Sequence, residues 1–239
     1  MKILILSDIH GNLHALESVL KRTSYDLVIC CGDLVVDYPF PEQCIETIQR
    51  IGARVCMGNN DFVVAHDLKA SSLMHQKYAH LAAALDRSVD LTRECLGESG
   101  MTYLKNLPRE QRFTIDGKIF YMNHTAPELS LHHYIPPDIT EQELMDYYDG
   151  LRADILITGH THIPYVRKIG NRLLINPGSV GEPRDGDPRA SFAVFDTDAG
   201  QVQLSRLAYD RADTLKILKK SGYPDYSAYC MKYGAMPEF

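Results

Sequence analysis

The chain has 239 residues, 45% hydrophobic and 23% charged, a composition that excludes disordered, collagen-like and membrane-embedded classes. Its 25 Lys and Arg against 31 Asp and Glu leave a formal charge of -6, which excludes a general nucleic-acid binder built on a basic surface. One nucleotide held through cations stays compatible with that charge, because a local dication inverts the field around it.

The opening MKILILSDIHG has four consecutive apolar residues, too few for a signal-peptide core or a membrane span. Residues 2–7 predict a buried strand. Residues 13–22 place Leu13, Leu16, Val19 and Leu20 on one helical face, with Asn12 as N-cap. A strand at 26–31, a helix at 41–51 carrying Ile45, Ile48 and Ile51, and a strand at 54–57 complete an alternation that predicts an α/β sheet with crossover connections. Residues 62–105 read as a helical insert or lid bearing His66, His75 and His80. Strands at 112–115, 118–122, 154–157, 164–168, 172–175, 191–196 and 201–207, with a helix at 140–150, predict hairpins and a mixed sheet. The tyrosine-rich tail, 209–239, is expected to pack over the body, so residues 1–239 read as one domain. The six cysteines, at 30, 31, 44, 56, 95 and 230, form no CxxC pair. Cys30, Cys31 and Cys56 lie in or beside apolar runs and read as buried thiols, which predicts a reducing compartment and a cytoplasmic location.

What ends each apolar run carries the chemistry. KILILS is followed by Asp8-Ile9-His10, DLVICC by Gly32-Asp33, RVCM by Gly58-Asn59-Asn60-Asp61, KIFYM by Asn123-His124, and DILIT by Gly159-His160-Thr161-His162. Five strands thus deliver oxygen or imidazole groups at their carboxyl ends, where open α/β sheets form binding crevices. Asp8/His10 and His160/His162 are i, i+2 pairs, so in extended chain both side chains of a pair point the same way. Taken singly, an Asp-Xaa-His is a cap or turn and a Gly-Asp is an ordinary turn. Five of them in order at strand ends have no such explanation. Carboxylates mixed with imidazoles and an amide suit Mn, Fe, Zn or Co. Seven side chains are too many for one ion and fit two ions about 3.5–4 Å apart that share a carboxylate.

The series DIH, GD, GNND, NH and GHTH resembles the calcineurin-like metallophosphoesterases, whose pattern is DxH, GD, GNH(D/E), (G)H and GHxH. The resemblance covers residues 1 to about 208 and implies an α/β fold, a four-layer α/β/β/α sandwich with two divalent metal ions (Mn first, then Fe, Zn, Ni or Mg) at one end. The SDIHGN start, the run Asn176-Pro177-Gly178-Ser179-Val180-Gly181 and the following Pro183-Arg184-Asp185-Gly186 are similar to small prokaryotic phosphodiesterase-like members. Carried over, Asp8, His10, Asp33 and His162 would bind the first ion, and Asp33, Asn59, His124 and His160 the second, with Asp33 bridging and a water between the ions attacking phosphorus. Arg184 would clamp a phosphate or be a plain surface arginine. Asn60 and Asp61, which close the third motif, are the other candidate catalytic residues.

Two departures shape the expected substrate. The family's third motif carries a histidine able to protonate a leaving group where this chain has Asn60, and an amide is no general acid. Leaving groups that need little protonation, such as aryl esters or anhydrides, would then be preferred, unless His66, His75 or His80 substitutes. Protein phosphatases and symmetrical dinucleoside tetraphosphatases carry GDxxDRG, against Gly32-Asp33-Leu34-Val35-Val36-Asp37-Tyr38 here. His14, His132 and His133 stand outside any motif and read as surface or substrate-side residues, and Met and Tyr as filler. The expected activity is phosphodiester hydrolysis of a small-molecule or nucleotide substrate, without non-specific nucleic-acid or membrane partners. The alternatives are nucleotide anhydride hydrolysis and a non-catalytic scaffold on the same fold.

Overall fold

A computed structural model describes residues 1–72, 76–127, 130–131 and 133–237; His75 and His132 lie outside the described residues. The first half alternates β1 (Lys2–Leu6), α1 (Leu13–Arg22), β2 (Leu27–Cys30), α2 (Pro41–Arg50), β3 (Arg54–Val55) and α3 (Asn59–Ala65). After 3-10 turns at Ala70–Ser72 and Gln76–Leu81 come α4 (Ala82–Cys95) and α5 (Glu98–Lys105). The second half runs β4 (Glu110–Ile115), β5 (Lys118–Asn123), α6 (Glu141–Tyr147), β6 (Ile155–Ile157), β7 (Tyr165–Ile169), β8 (Arg172–Asn176), β9 (Ala190–Asp196) and β10 (Gln201–Leu207). It closes with α7 (Ala212–Lys220) and α8 (Asp225–Tyr233).

Local chemistry sets these boundaries. Asn12 accepts a hydrogen bond from the Ala15 amide and starts α1, whose Ala15, Leu16 and Val19 are buried. Pro41 opens α2 at a position that needs no N–H donor. Thr140 and Glu143 form a reciprocal capping box on α6. Gly234 ends α8 at φ 65 in the left-handed region.

The mixed strand directions read from the sequence are borne out in two five-stranded sheets, the two β layers of the expected sandwich, ordered β10-β9-β1-β2-β3 and β4-β5-β6-β8-β7. The parallel triplet β1-β2-β3 continues antiparallel into β9, and the parallel triplet β5-β6-β8 is flanked by antiparallel β4 and β7. The alternation of side chains explains the layers. Ile3 and Ile5 of β1 pack with Phe120 and Met122 of β5, Ile155 and Ile157 of β6 and Phe195 of β9 between the sheets. Phe120 and Phe195 meet edge to face, with ring centroids 5.8 Å apart. The opposite face, Leu4 and Leu6, packs with Leu16 and Val19 of α1 and Ile45 and Ile48 of α2. On the far side, Tyr121, Leu156 and Leu174 pack with Leu144 and Tyr148 at α6. These layers make the α/β/β/α sandwich.

Among the described residues the cysteines are free thiols; Cys30, Cys31 and Cys56 are buried and Cys95 is exposed. No described helix is long and apolar enough to cross a membrane.

Candidate metal centre

The seven residues singled out from the strand ends come together. Asp8 and His10 follow β1, Asp33 follows β2, Asn59 opens α3 after β3, His124 follows β5, and His160 and His162 follow β6. The extended geometry expected for the i, i+2 pairs is corrected. Asp8, His10, Asp33, His160 and His162 sit at φ 55, 54, 51, 65 and 60, in the left-handed region that side chains other than glycine seldom occupy. Left-handed turns, not a pleat, turn each pair inward. Each such residue costs about 1–3 kcal/mol and persists only where its surroundings over-determine it. Here the Asp8 amide donates to the Gly32 carbonyl at 3.0 Å, and the Asp8 carbonyl accepts from the Gly181 amide at 3.0 Å and from Ser179 Oγ at 2.6 Å. Asn176 Nδ2 donates to the Gly159 carbonyl at 2.8 Å, so the run from Asn176 to Gly181 braces the loops of both β1 and β6. Gly159 is sterically required: a Cβ there would fall 2.0 Å from Ser7 Oγ and 2.9 Å from Asp8 Oδ2.

Three imidazoles are oriented through Nδ1. His124 Nδ1 donates to the Cys31 carbonyl and His162 Nδ1 to the Glu182 carbonyl, each at 2.5 Å. His10 Nδ1 lies 3.2 Å from Asp37 Oδ2, a close charge pair whose carboxylate approaches off the ideal hydrogen-bond line. A proton on each Nδ1 leaves the Nε2 lone pairs facing inward. His162 Nε2 is 3.3 Å from Asp8 Oδ1, and His124 Nε2 is 3.4 Å from Asp33 Oδ2. His160 instead presents Nδ1, which lies 2.8 Å from the Asn59 amide terminus, a group that also stands 3.2 Å from His124 Nε2 and 3.3 Å from Asp33 Oδ2.

Cations fit this arrangement. Asp8, His10, Asp33 and His162 offer one ligand atom each within 4.8 Å of one another, and so do Asp33, His124 and His160. Buried lone pairs converge without enough protons to satisfy them, and Asp8 Oδ1 has no hydrogen-bond partner among the described residues. Protons on some imidazoles are the partial remedy when no cation balances the carboxylates. Burial lowers the His10 pKa, but Asp37, Glu182 and Asp33 together raise it to about 9. Burial likewise opposes charge on His124, yet Asp33, Asp8 and the Cys31 carbonyl raise it to about 10. His160 is lowered to about 3 by burial and the neighbouring His124, and His162 to about 4 by burial and Arg184. Burial raises the Asp8 pKa, but the facing His162 and His124 overcome it and hold the carboxyl down at about 2.

The remaining candidates stand around this core. Asn60 donates from its amide N to Asp33 Oδ1 and from Nδ2 to Asp33 Oδ2, both at 2.8 Å. Asp61 sits in the first turn of α3, where its oxygens accept from the amides of Leu34 at 2.8 Å and Gly58 at 3.0 Å. That makes Asp61 a brace for the Asp33 loop and the α3 cap, away from the facing imidazoles. Arg184 is set against the buried Glu182, with Nε and Nη2 donating to Oε1 at 3.0 and 2.6 Å. His66 is exposed and stacks on Phe62 with centroids 4.2 Å apart. His14 Nδ1 pairs with Thr214 Oγ1 at 2.6 Å, joining α1 to α7, and His133 Nε2 pairs with the Tyr147 hydroxyl at 2.9 Å. Sequence reasoning missed Glu182 and Asp37. The carboxylate of Asp37 was visible as the displaced second acid after Gly32-Asp33, but its contact with His10 was not.

Residues 1–200 match the calcineurin-like phosphoesterase superfamily domain. The chain belongs to that superfamily. It is 44% identical to phosphodiesterase YfcE of Escherichia coli over 84% of this chain and 91% of that one. It is also 31% identical to the uncharacterized protein MJ0912 of Methanocaldococcus jannaschii, over 94% of each. The crystal structure of a metallophosphoesterase from Sphaerobacter thermophilus superposes with a TM-score of 0.80 at 29% identity, covering 98% of this chain and 99% of that chain. The chain is therefore a phosphoric ester hydrolase of the calcineurin-like superfamily, with a candidate cluster for divalent metal ions at its sheet ends.

Proposed function

We propose that this calcineurin-like hydrolase is a phosphodiesterase that works with two divalent metal ions, Mn above all, on a small-molecule or nucleotide phosphoester. Asp8, His10, Asp33 and His162 would hold the first ion, and Asp33, Asn59, His124 and His160 the second. The observation that carries the reading is that two ligand groups overlap in a single buried carboxylate, Asp33. Two ions bound there would bring the pKa of a water near neutrality and neutralise charge on the phosphoryl oxygens. The chain's own part is to present aligned lone pairs. Asn60 holds both Asp33 oxygens, and the Cys31 and Glu182 carbonyls fix the tautomers of His124 and His162. Arg184, anchored on Glu182 near His162, is suited to meet a phosphate at the rim of the site.

A second reading, hydrolysis of nucleotide anhydrides such as dinucleoside polyphosphates, is favoured by Asn60. Its side chain is engaged with Asp33 and has no proton of suitable acidity for a poor leaving group. In either reading residues 1–239 act as one unit, with the 62–105 insert as a lid, the 209–239 tail packed against the body and the buried thiols suited to a reducing cytoplasm. The test is hydrolysis of aryl phosphodiesters, aryl phosphomonoesters, cyclic nucleotides and dinucleoside polyphosphates with Mn, Ni, Zn or Mg, beside Asp33→Ala. Metal-dependent diester cleavage lost in Asp33→Ala is the expected result. Preference for the polyphosphates would favour the second reading, and no activity with two ions bound would defeat both.

A further inference from the structure

Asp37 is buried four residues beyond Asp33, and four contacts converge on it. Its Oδ2 lies 3.2 Å from His10 Nδ1, on the side of the ring away from the inward-facing Nε2. Its Oδ1 accepts from Ser88 Oγ at 3.1 Å and from the Tyr226 hydroxyl. Its own amide donates back to Ser88 Oγ at 2.9 Å. Ser88 belongs to α4 in the helical insert. Tyr226 belongs to α8, outside the residues 1–200 that match the superfamily domain. The backbone is left-handed at Val36, φ 79, and at Asp37, φ 72, and for a β-branched valine that is a genuine outlier. An acid that only tied two helices to a loop would need neither this strain nor a carboxylate oxygen against the imidazole.

We propose that Asp37 is the positioning residue for His10, and that α4 and α8, by holding Asp37 through Ser88 and Tyr226, set the affinity of the first metal site. The inference rests on reading His10 as a ligand. A carboxylate at Nδ1 fixes the tautomer, aims Nε2 at the ion and makes it more basic; loss of such a partner typically weakens metal binding 10- to 100-fold. Coupling of this kind is reciprocal: if docked α8 tightens the ion, the ion tightens the docking of α8.

The experiment titrates Mn2+ into metal-free full-length protein by calorimetry and follows α8 amide exchange with and without Mn2+. Wild type is expected to take up two ions. Asp37→Asn should weaken one of them about 10- to 100-fold and leave the other unchanged. Tyr226→Phe, which keeps the ring and therefore the packing, should weaken the same ion several-fold. Mn2+ should slow α8 exchange in wild type and lose that effect in Asp37→Asn. Wild-type affinities in both variants would overturn the relay, as would equal weakening of both ions in Tyr226→Phe. Failure of wild type to bind two ions would overturn the metal reading itself, and the relay with it.

Discussion

His10 and His162 face each other Nε2 to Nε2 at 3.1 Å, each with its Nδ1 turned to an oxygen, Asp37 Oδ2 for His10 and the Glu182 carbonyl for His162. Two lone pairs at that separation repel unless a proton or a cation lies between them. A bound cation should therefore stabilise the fold strongly. At a free Mn2+ concentration 1,000 times the dissociation constant the gain per site is about 4 kcal/mol, roughly 8–16 °C in Tm for a chain of this size. Calorimetric melts with Mn2+ and with a chelator measure it. A difference of under about 2 °C would speak against an ion at this position.

Metal uptake should release protons. His10 and His124, raised to about 9 and about 10, are protonated at neutral pH in the metal-free protein, and a ligand must give up that proton. Affinity should rise with pH through neutrality and level off near those values. The sign for stability is separate. Because both pKa values lie above the unfolded-state value, their contribution in the metal-free protein is fully present below about 6.5 and lost as pH rises through about 9 to 10. Calorimetry in buffers of different ionisation heat counts the protons; none released at pH 7 would contradict this picture.

Gly159→Ala should strike the reaction harder than the fold. The new Cβ, 2.0 Å from Ser7 Oγ and 2.9 Å from Asp8 Oδ2, must displace the Asp8 carboxylate as well as rotate Ser7 off the Cys31 carbonyl, or else move the loop that carries His160. A displacement near 1 Å at reacting groups lowers rates on the order of 100-fold. Activity within threefold of wild type would show that the loops yield more easily than their hydrogen bonds suggest.

Asn60→His should raise the rate on alkyl phosphodiesters relative to aryl ones, because it restores a group able to protonate a poor leaving group, an effect of about 100-fold or more where geometry is right. An unchanged alkyl-to-aryl ratio would mean that leaving-group protonation does not limit this enzyme.

Phe120→Ala removes a ring from between the sheets, where it touches Phe113 and Phe195. The expected loss is about 3–5 kcal/mol, read from denaturant midpoints. A loss under 1 kcal/mol would mean that the sheets close over the gap.

Much of this was legible in the sequence, for identifiable reasons. Strand runs such as KILIL and KIFYM are apolar on both faces because helices and the partner sheet cover them, and the candidate ligand residues begin where those runs stop. The two β layers were legible only through the family resemblance, and the strand order within them was not, since nothing in β9 or β10 specifies pairing with a strand near residue 4. Nor were the left-handed turns at Asp8, His10 and Asp33, because their bonds come from other segments: the Asp8 carbonyl accepts from Gly181 and Ser179, and the His10 amide donates to the Asp33 carbonyl. Tyr226 read as filler for the same reason: its acceptor, Asp37, lies 189 positions away.

The strand order β10-β9-β1-β2-β3 also dictates when the molecule can be finished. β1 finds β2 within a few dozen residues, but its other edge stays unpaired until β9 emerges roughly 180 residues later, about 10–40 s at ordinary rates of synthesis. Through that interval the nascent chain presents an apolar strand edge, and the loop after it lacks the Ser179 and Gly181 bonds that hold Asp8. The turn that shapes Asp8 in the candidate metal centre can therefore close only once the run from Asn176 to Gly181 and β9 have been made.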